Sequence, residues 1–459
     1  MTERISAREA IALVTDSFAE LPSPKDAFGT DGPLSWPGYD AARERAAART
    51  GEDESVVCGT ATFGTASFGT TIDGRAPLGP VTAMLVVFEF GFLGGSLGER
   101  TGDRLESAYE HARAHRLPVV SLVATGGSRM QEGMLALTQL QRVARQSALT
   151  REAGLAQIAV LRDPTTGGGW ATLGAGADVT LALPGAQVAF AGSRVRPPDA
   201  DPAAYTAEAQ VAAGSVDALV TPDGLREALA LWLDLLTRPS AGAAPVPSAL
   251  GATDLPATGW DAVRRARAPE RPRAESYLDA YFSRRAAIAG DRCGGTDDGM
   301  LCGFGRARDG RTVAYAAQCG TPTRPAGYRT AARLVRLAGR LGIPVLTLVD
   351  TPGAANDADA ERWGAGSAIA DLFAAVATAR TPATTLVIGE GGSGGALALA
   401  APGNTWATPD SYFSVIAPEL AAAILKRPPE DAEATANDLR VRPQDLVELG
   451  LVRGVVTPE

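Results

Sequence analysis

Two stretches of this chain repeat one another at a fixed offset. "LPVVSLVATGGSRMQEG" begins at Leu117 and "IPVLTLVDTPGAANDAD" at Ile343. Each reads as a proline, an apolar run rich in β-branched residues, then a Thr-Gly or Thr-Pro-Gly turn. Pro118 and Pro344 mark the offset. An Arg-rich amphipathic segment precedes each, "RLESAYEHARAHR" and "YRTAARLVRLAGRLG", and its periodicity predicts a helix. The rhyme continues in "IAVLRDPTTGGGWATLGAGADVTLALPGAQVAFAG" from Ile158 and "TLVIGEGGSGGALALAAPGNTWATPDSYFSVIAP" from Thr385. The separation of Pro184 from Pro409 differs by a single position from that of Pro118 and Pro344. Both segments predict strand, glycine turn, small-residue helix, strand, turn, strand. An offset so nearly constant over such a length is an internal duplication. It predicts two tandem copies of one α/β domain.

The stretch between the copies is rich in Pro, Ala, Gly and Ser and reads as a linker. The expected domains are 1–238 and 258–459, with the linker at 239–257. Hydrophobic residues make up 45% and charged residues 21% of the 459, a balance that predicts packed globular domains. Net charge is −9 with no basic block, which argues against nucleic acid as a partner. Cys58, Cys293, Cys302 and Cys319 form no C-x-x-C pair, so no metal is expected and reduced thiols in the cytoplasm are. The opening "MTERISAREAIALVTDSF" lacks the apolar core of a secretory signal. The most apolar run, "VTAMLVVFEFGFLGGSLG", contains Glu89 and four glycines. It predicts a buried strand pair rather than a membrane span.

Gly389, Gly391 and Gly394 fit G-x-G-x-x-G, and Asp410 follows about 20 residues on, as in a dinucleotide-binding fingerprint. Its twin "DPTTGGGWATLG" does not fit the pattern. That fingerprint belongs near the start of its domain, whereas this one lies near the end of the chain. The physics survives with another ligand: glycines at a helix N-terminus let N–H groups approach a negatively charged oxygen, such as an enolate. Tight turns are the alternative. Ser393 fits G-x-S-x-G, but no histidine follows it, which argues against a Ser-His-Asp hydrolase. His111 and His115 share a helix face and read as partly solvated surface rather than a metal pair. No lysine follows a glycine loop in the P-loop manner. Arg100, Arg104 and Arg129 flank the N-half glycines, as surface arginines or as phosphate binders.

"FEFGFLGGSLGERTGDRL", "ATGGSRMQEGMLALTQL", "LRDPTTGGGWATLG" and "VAFAGSRV" resemble the β subunit of the acetyl-CoA carboxylase carboxyltransferase. "WDAVRRARAPERPRAESYLDAYF", "GDRCGGTDDGML", "PAGYRTAARLVRLAGRLGIPVLTLVDTPGA", "GEGGSGGALAL" and "FSVIAPELAAAIL" resemble its α subunit. The chain is similar to a β–α fusion over about four-fifths of its length. The resemblance implies a crotonase-type ββα-spiral fold in each half, and a site where the N-half of one subunit faces the C-half of another. A homodimer or larger assembly follows from that. The family's zinc ribbon has no counterpart here. Its His-Gln-Lys-Gly run is replaced by "AQCG", and the segment after "DTPGA" reads "ANDADAERWGAG".

The family reaction moves CO2 from carboxybiotin to the α-carbon of an acyl-CoA. The resemblance implies biotin on a separate carrier protein, a biotin carboxylase partner, a CoA thioester substrate and a malonyl-type product. It implies Gly126 and Gly127 as donors to the thioester oxygen, and Gly394, Gly395 and Ala396 as donors to the biotin oxygen. Gly94, Gly95, Arg100, Arg129 and Gly353 are expected to bind cofactor and substrate. The altered segment keeps a second reading open: a biotin-independent malonyl-thioester decarboxylase, or a carboxyltransferase of a secondary pathway. A non-catalytic scaffold has no need of paired glycines in both halves.

Overall fold

The computed structural model describes residues 4–23, 29–64 and 79–458, which form two compact units. The first is Met1–Thr237 with Arg292–Gly294, and the second is Arg238–Asp291 with Gly295–Glu459.

The first unit runs α1 (Ala7–Val14), β1 (Ser17–Glu20), α2 (Tyr39–Thr50), β2 (Val56–Phe63), β3 (Val81–Phe88), α3 (Glu99–Ala114), β4 (Val119–Thr125), α4 (Gly133–Glu152) and β5 (Gln157–Thr166). It continues through α5 (Gly167–Gly169), β6 (Val179–Ala182), β7 (Val188–Ala189), α6 (Ala207–Ala212), β8 (Ala218–Leu219) and α7 (Leu225–Leu236). Its sheet has the order β1-β2-β3-β4-β5-β6-β8, with β7 beside β5. The first three strands pair antiparallel and β3 to β6 pair parallel. Every residue of β4, "VVSLVAT", is buried, as expected of a parallel strand covered on both faces.

The second unit runs α8 (Gly259–Arg267), α9 (Ala274–Tyr281), β9 (Phe282–Ile288), β10 (Met300–Ala307), β11 (Thr312–Gln318), α10 (Pro325–Leu341), β12 (Val345–Thr351), α11 (Ala358–Arg362) and α12 (Ala365–Ala377). Then come β13 (Ala383–Gly392), α13 (Ser393–Leu397), β14 (Thr405–Ala407), β15 (Tyr412–Ser414), α14 (Pro418–Ile424), α15 (Ala432–Asp438) and α16 (Pro443–Glu448). Its sheet reads β9-β10-β11-β12-β13-β14, with β15 beside β13. From β9 to β14, order and sense match β1 to β6 of the first unit strand for strand. The strand pairs β4 and β12, β5 and β13, and β6 and β14 all begin at the offset that separates Pro118 from Pro344. Helix α10 starts at Pro325 and stops at Gly342, whose left-handed φ of 72° ends the helix.

Two expectations are corrected. The run 81–98 holds one strand, not two: β3 ends at Phe88, and the chain turns because Glu89 is buried and accepts N–H bonds from Ala7 and Gly91, both at 2.7 Å. Residues 239–257 form no helix or strand, yet they are not a free linker. Ala244 and Ala249 are buried, Thr384 Oγ1 donates to Ala244 O at 2.7 Å, and Leu250 N donates to Tyr277 Oη at 3.2 Å. Small residues let this segment lie close against its own unit. Among the described residues no helix is long and apolar enough to cross a membrane.

Leu122 and Leu348, twins at the centres of β4 and β12, are both fully buried. Leu122→Ala and Leu348→Ala should each destabilise the protein by about 2–5 kcal/mol, read as a lowered urea midpoint. A loss under about 0.5 kcal/mol, the range of an ordinary surface change, would contradict the packing described.

Candidate functional site

Each unit bends its chain at the end of the fourth strand. The β4–β5 register shifts between Val123 and Thr125, and the β12–β13 register shifts between Val349 and Thr351, the corresponding place in the second copy. Such an irregularity re-aims the chain. Each following turn is pinned by a parallel bridge. Leu97 N donates to Gly127 O at 2.9 Å and Arg129 N to Leu97 O at 2.8 Å; Thr323 N donates to Gly353 O at 3.1 Å and Ala355 N to Thr323 O at 2.9 Å. Gly127 and Gly353 hold φ of 106° and 141°, a region that favours glycine.

The turn's N–H groups differ from expectation. Gly126 N donates to Gly94 O at 2.9 Å, Gly127 N to Thr125 Oγ1 at 3.1 Å, and Gly353 N to Thr351 Oγ1 at 3.2 Å. Those donors are already engaged. Ser128 N and Ala354 N, twins under the repeat, have no acceptor among the described residues.

The fifth strand of each unit runs straight into a helix with glycines in its first turn, β5 into α5 and β13 into α13. First-turn N–H groups have no acceptor within their helix. The turn and the helix start meet backbone to backbone. A Cβ on Gly395 would lie 2.5 Å from Ala354 N, and one on Gly167 3.2 Å from Gly127 Cα. A Cβ on Gly394 would meet nothing within 4 Å. Gly126 and Gly127 therefore correspond to Pro352 and Gly353, whereas Gly394 and Gly395 correspond to Gly168 and Gly169. The units do not repeat one Gly-Gly pair; each holds a turn and a helix start. No motif singles out Ser128, Gly168, Gly169 and Ala354 as site residues, although the repeat offset relates Ser128 to Ala354 and Gly168 and Gly169 to Gly394 and Gly395. Ala396 lies in α13 with its side chain fully buried.

The dinucleotide fingerprint dissolves at the same place. Gly389 and Gly391 lie inside β13, not in a loop. The Arg271 guanidinium covers Gly389 and donates to Asp350 Oδ1 at 2.5 Å. A Cβ on Gly391 would strike the Phe413 ring at 2.5 Å. These glycines serve internal packing. Ser393 has φ 60°, at the position where its twin Gly167 has 62°.

Arg129 is corrected as a phosphate binder. Its side chain is 0% exposed and ion-paired to Glu54 and Glu132, which are equally buried. It also donates to Ser96 O at 2.7 Å, and Tyr39 donates to Glu132. Burial by itself would push the Glu54 carboxyl up, but the Arg129 charge and hydrogen bonds outweigh it and hold the pKa at about 2. The cluster clamps the residue just after the turn. Arg104 is likewise buried, donating to Val56 O at 3.0 Å and Asp53 Oδ1 at 2.6 Å. Arg100 is partly buried, and burial together with the neighbouring Arg43 charge lowers its pKa. Gly94 supplies the carbonyl that holds Gly126, and Gly95 lies against the Ala124 carbonyl; both brace the turn. His111 and His115 stack on each other, with ring centroids 4.2 Å apart. Among the described residues no group of three or more His, Cys, Asp or Glu is placed to hold a metal ion.

The two matched units have the two-domain, crotonase-like carboxyltransferase fold. Residues 72–228 match the carboxyl transferase domain, and residues 255–459 match the acetyl co-enzyme A carboxylase carboxyltransferase-like family. The chain is 37% identical to the acetyl-coenzyme A carboxylase carboxyl transferase subunits beta/alpha of Salinispora arenicola, over 99% of this chain and 82% of that protein. It is 34% identical to a probable biotin-dependent acyl-coenzyme A carboxylase beta3 subunit of Mycobacterium bovis, over 92% of this chain and 84% of that one. The transcarboxylase 12S crystal structure, a hexamer assembly with methylmalonyl-coenzyme A bound, superposes with TM-score 0.75 at 21% identity, over 99% of this chain and 87% of that one. The chain belongs to the acetyl-CoA carboxylase carboxyltransferase family. It is an enzyme, the carboxyltransferase of a biotin-dependent acyl-CoA carboxylase.

Arg129→Leu should strand two buried carboxylates and cost about 3–5 kcal/mol at pH 7. The sign of the pH dependence should change. In the parent the Glu54 contribution is full above about pH 4.5 and is lost as pH falls through about 2. Without the guanidinium, burial raises the Glu54 pKa, so the variant should gain stability between pH 7 and pH 5. Urea denaturation at both pH values measures this, and a variant that loses stability on acidification would refute the clamp.

Proposed function

We propose that the second unit receives carboxybiotin, carried on a separate protein and charged by a biotin carboxylase. The first unit receives the acyl-CoA, with acetyl-CoA giving malonyl-CoA. The chemistry needs two sets of N–H donors and no nucleophile. Gly168 and Gly169 at α5, with Ser128, serve the thioester oxygen as the α-carbon loses its proton. Gly394, Gly395 and Ala396 at α13, with Ala354, serve the ureido oxygen. Bound carboxybiotin supplies the CO2 and a basic ureido group that accepts the α-proton. One donor of this kind is worth roughly 3–4 kcal/mol where charge develops.

The observation that carries this reading is the space above Gly394. Its neighbours Gly391, Gly392 and Gly395 are glycines because a Cβ would strike Phe413, Pro352 or Ala354. Gly394 has no such reason, since a Cβ there meets nothing within 4 Å. A glycine with no packing requirement at a helix start leaves room for an incoming oxygen. The altered segment after β12 forms the short helix α11 and leaves Gly353 and Ala354 in place. We further propose a cytoplasmic homodimer or larger assembly, as the hexamer of the transcarboxylase relative suggests; a scattering mass of one chain with full activity would overturn it.

Gly394→Val tests the site without burdening the fold. Carboxyl transfer from malonyl-CoA to free biotin should fall by about 10² or more in kcat. Malonyl-CoA affinity and melting temperature should hold. Unchanged transfer would remove α13 from the reaction. Malonyl-CoA turnover by the parent that ignores biotin would favour a decarboxylase instead.

A further inference from the structure

Helix α13 is short, and its end leaves one carbonyl behind. Ala398 N donates to Gly394 O at 3.0 Å and Leu399 N to Ala396 O at 3.2 Å, which passes over Gly395 O. A buried carbonyl must find a donor elsewhere. Two side chains supply it. Tyr328 Oη, on α10, donates to Gly395 O at 3.1 Å, and Gln318 Nε2, at the end of β11, donates to the same oxygen at 3.3 Å. Both residues are fully buried. Gln318 Nε2 also donates to Thr323 Oγ1 at 3.1 Å, and its Oε1 has no partner among the described residues. The amide is therefore held by what it donates to. Flipping it would set Oε1 against a carbonyl oxygen.

The first unit lacks this support. At the repeat offset, the twin of Tyr328 is Gly102 and the twin of Thr323 is Leu97. Among the described residues no side chain donates to Gly169 O; Thr172 Oγ1 donates to Gly168 O instead, at 2.7 Å. The duplicated fold needs no Tyr-Gln pair to build a glycine helix. Among the described residues such a pair stands in the second unit alone.

We propose that Tyr328 and Gln318 are positioning residues for the biotin-side oxyanion site. Resting on the reading of α13 given above, they fix the plane of the Gly395–Ala396 peptide, and so the direction of its Ala396 N–H and the seat of Gly395, which carries the adjoining N–H. Hydrogen bonds accepted at a peptide oxygen also strengthen the donors in line with it. The Tyr328 ring seals the back of Gly395, whose Cβ would lie 2.6 Å from the phenol oxygen.

Tyr328→Phe removes one oxygen and keeps the ring. In the full-length protein, kcat for carboxyl transfer from malonyl-CoA to free biotin should fall about 10-fold, the loss of one directed hydrogen bond. The KM and calorimetric Kd for malonyl-CoA should stay within about 2-fold, and the melting temperature should shift little. Gln318→Met removes the second donor at similar volume and gives an independent reading should the first variant fold poorly. A fall in kcat without a fall in malonyl-CoA affinity is what a purely structural role would not produce. If both variants keep kcat within 2-fold, or lose malonyl-CoA affinity in parallel, the inference is overturned. Gly394→Val separates the two levels. Transfer abolished by Gly394→Val but untouched by Tyr328→Phe and Gln318→Met sinks only the positioning role; transfer untouched by Gly394→Val sinks the site itself.

Discussion

The contact on which each unit depends is backbone against backbone. In the second unit, Gly395 approaches Ala354 so closely that a single Cβ would sit 2.5 Å from the Ala354 nitrogen. Nothing larger than glycine lets a strand-end turn and a helix start converge there. Because the converging groups are peptide N–H, the site is built from main-chain position and not from side-chain identity. That explains why the fold places its bulges, bridges and glycines at one common offset, while the side chains around them diverge. It also explains why the histidines and the cysteines stand outside the arrangement.

Main-chain donors work only when their peptides are held still, and the two units hold them by different means. In the first, a buried ion cluster takes the residue after the turn: Arg129 between Glu54 and Glu132, with Tyr39 completing the network. Its value lies in geometry rather than net stability, since desolvation offsets much of the Coulomb gain of buried pairs. In the second, the residue at the Arg129 position is Ala355, packed with Ala360 and Ala365. A threonine hydroxyl accepts from the turn glycine in both units, Thr125 from Gly127 and Thr351 from Gly353, and what the second has besides is a phenol and an amide, Tyr328 and Gln318 on Gly395. An ion cluster next to one site adds fixed charge to it, whereas hydroxyl support adds direction with little field. Under the proposed function the two oxyanions differ in basicity, one on a thioester and one on a ureido group, which would give a physical reason for two distinct supports.

Much of this was legible in the sequence, and the reasons for the misses are specific. The repeat predicted two like domains because strands β4 and β12, covered on both faces, must be continuous apolar runs. The helix pair α3 and α10 followed from apolar periodicity. The strand pair expected in 81–98 failed because apolar composition does not reveal that Glu89 turns inward to cap two N–H groups. The linker failed for a related reason: Pro, Ala and Gly serve a tightly packed strap as well as a mobile one. Arg129 failed because a motif gives proximity to a site but not the direction of a side chain, and its partner Glu54 is distant in the sequence. The N–H assignments at Gly126 and Gly127 failed because a glycine pair marks a turn, while the acceptors its amides already have, Gly94 O and Thr125 Oγ1, are set by the tertiary fold.

The glycines of β13 and α13 show how such a stretch can be divided by cause. Between Gly389 and Gly395 only Glu390 and Ser393 are not glycine, so composition treats the rest alike. Their surroundings do not. Gly389 lies under the Arg271 guanidinium, Gly391 under Phe413, Gly392 against the Pro352 carbonyl and Gly395 against Ala354. Each of these would be glycine in a protein with no ligand at all. Gly394 alone among them borders open space. The fold's own packing therefore gives no reason for glycine at position 394, and an open helix start has room for an incoming oxygen. That argument uses no resemblance to any relative, and it points to the same helix start that the proposed function assigns to the ureido oxygen.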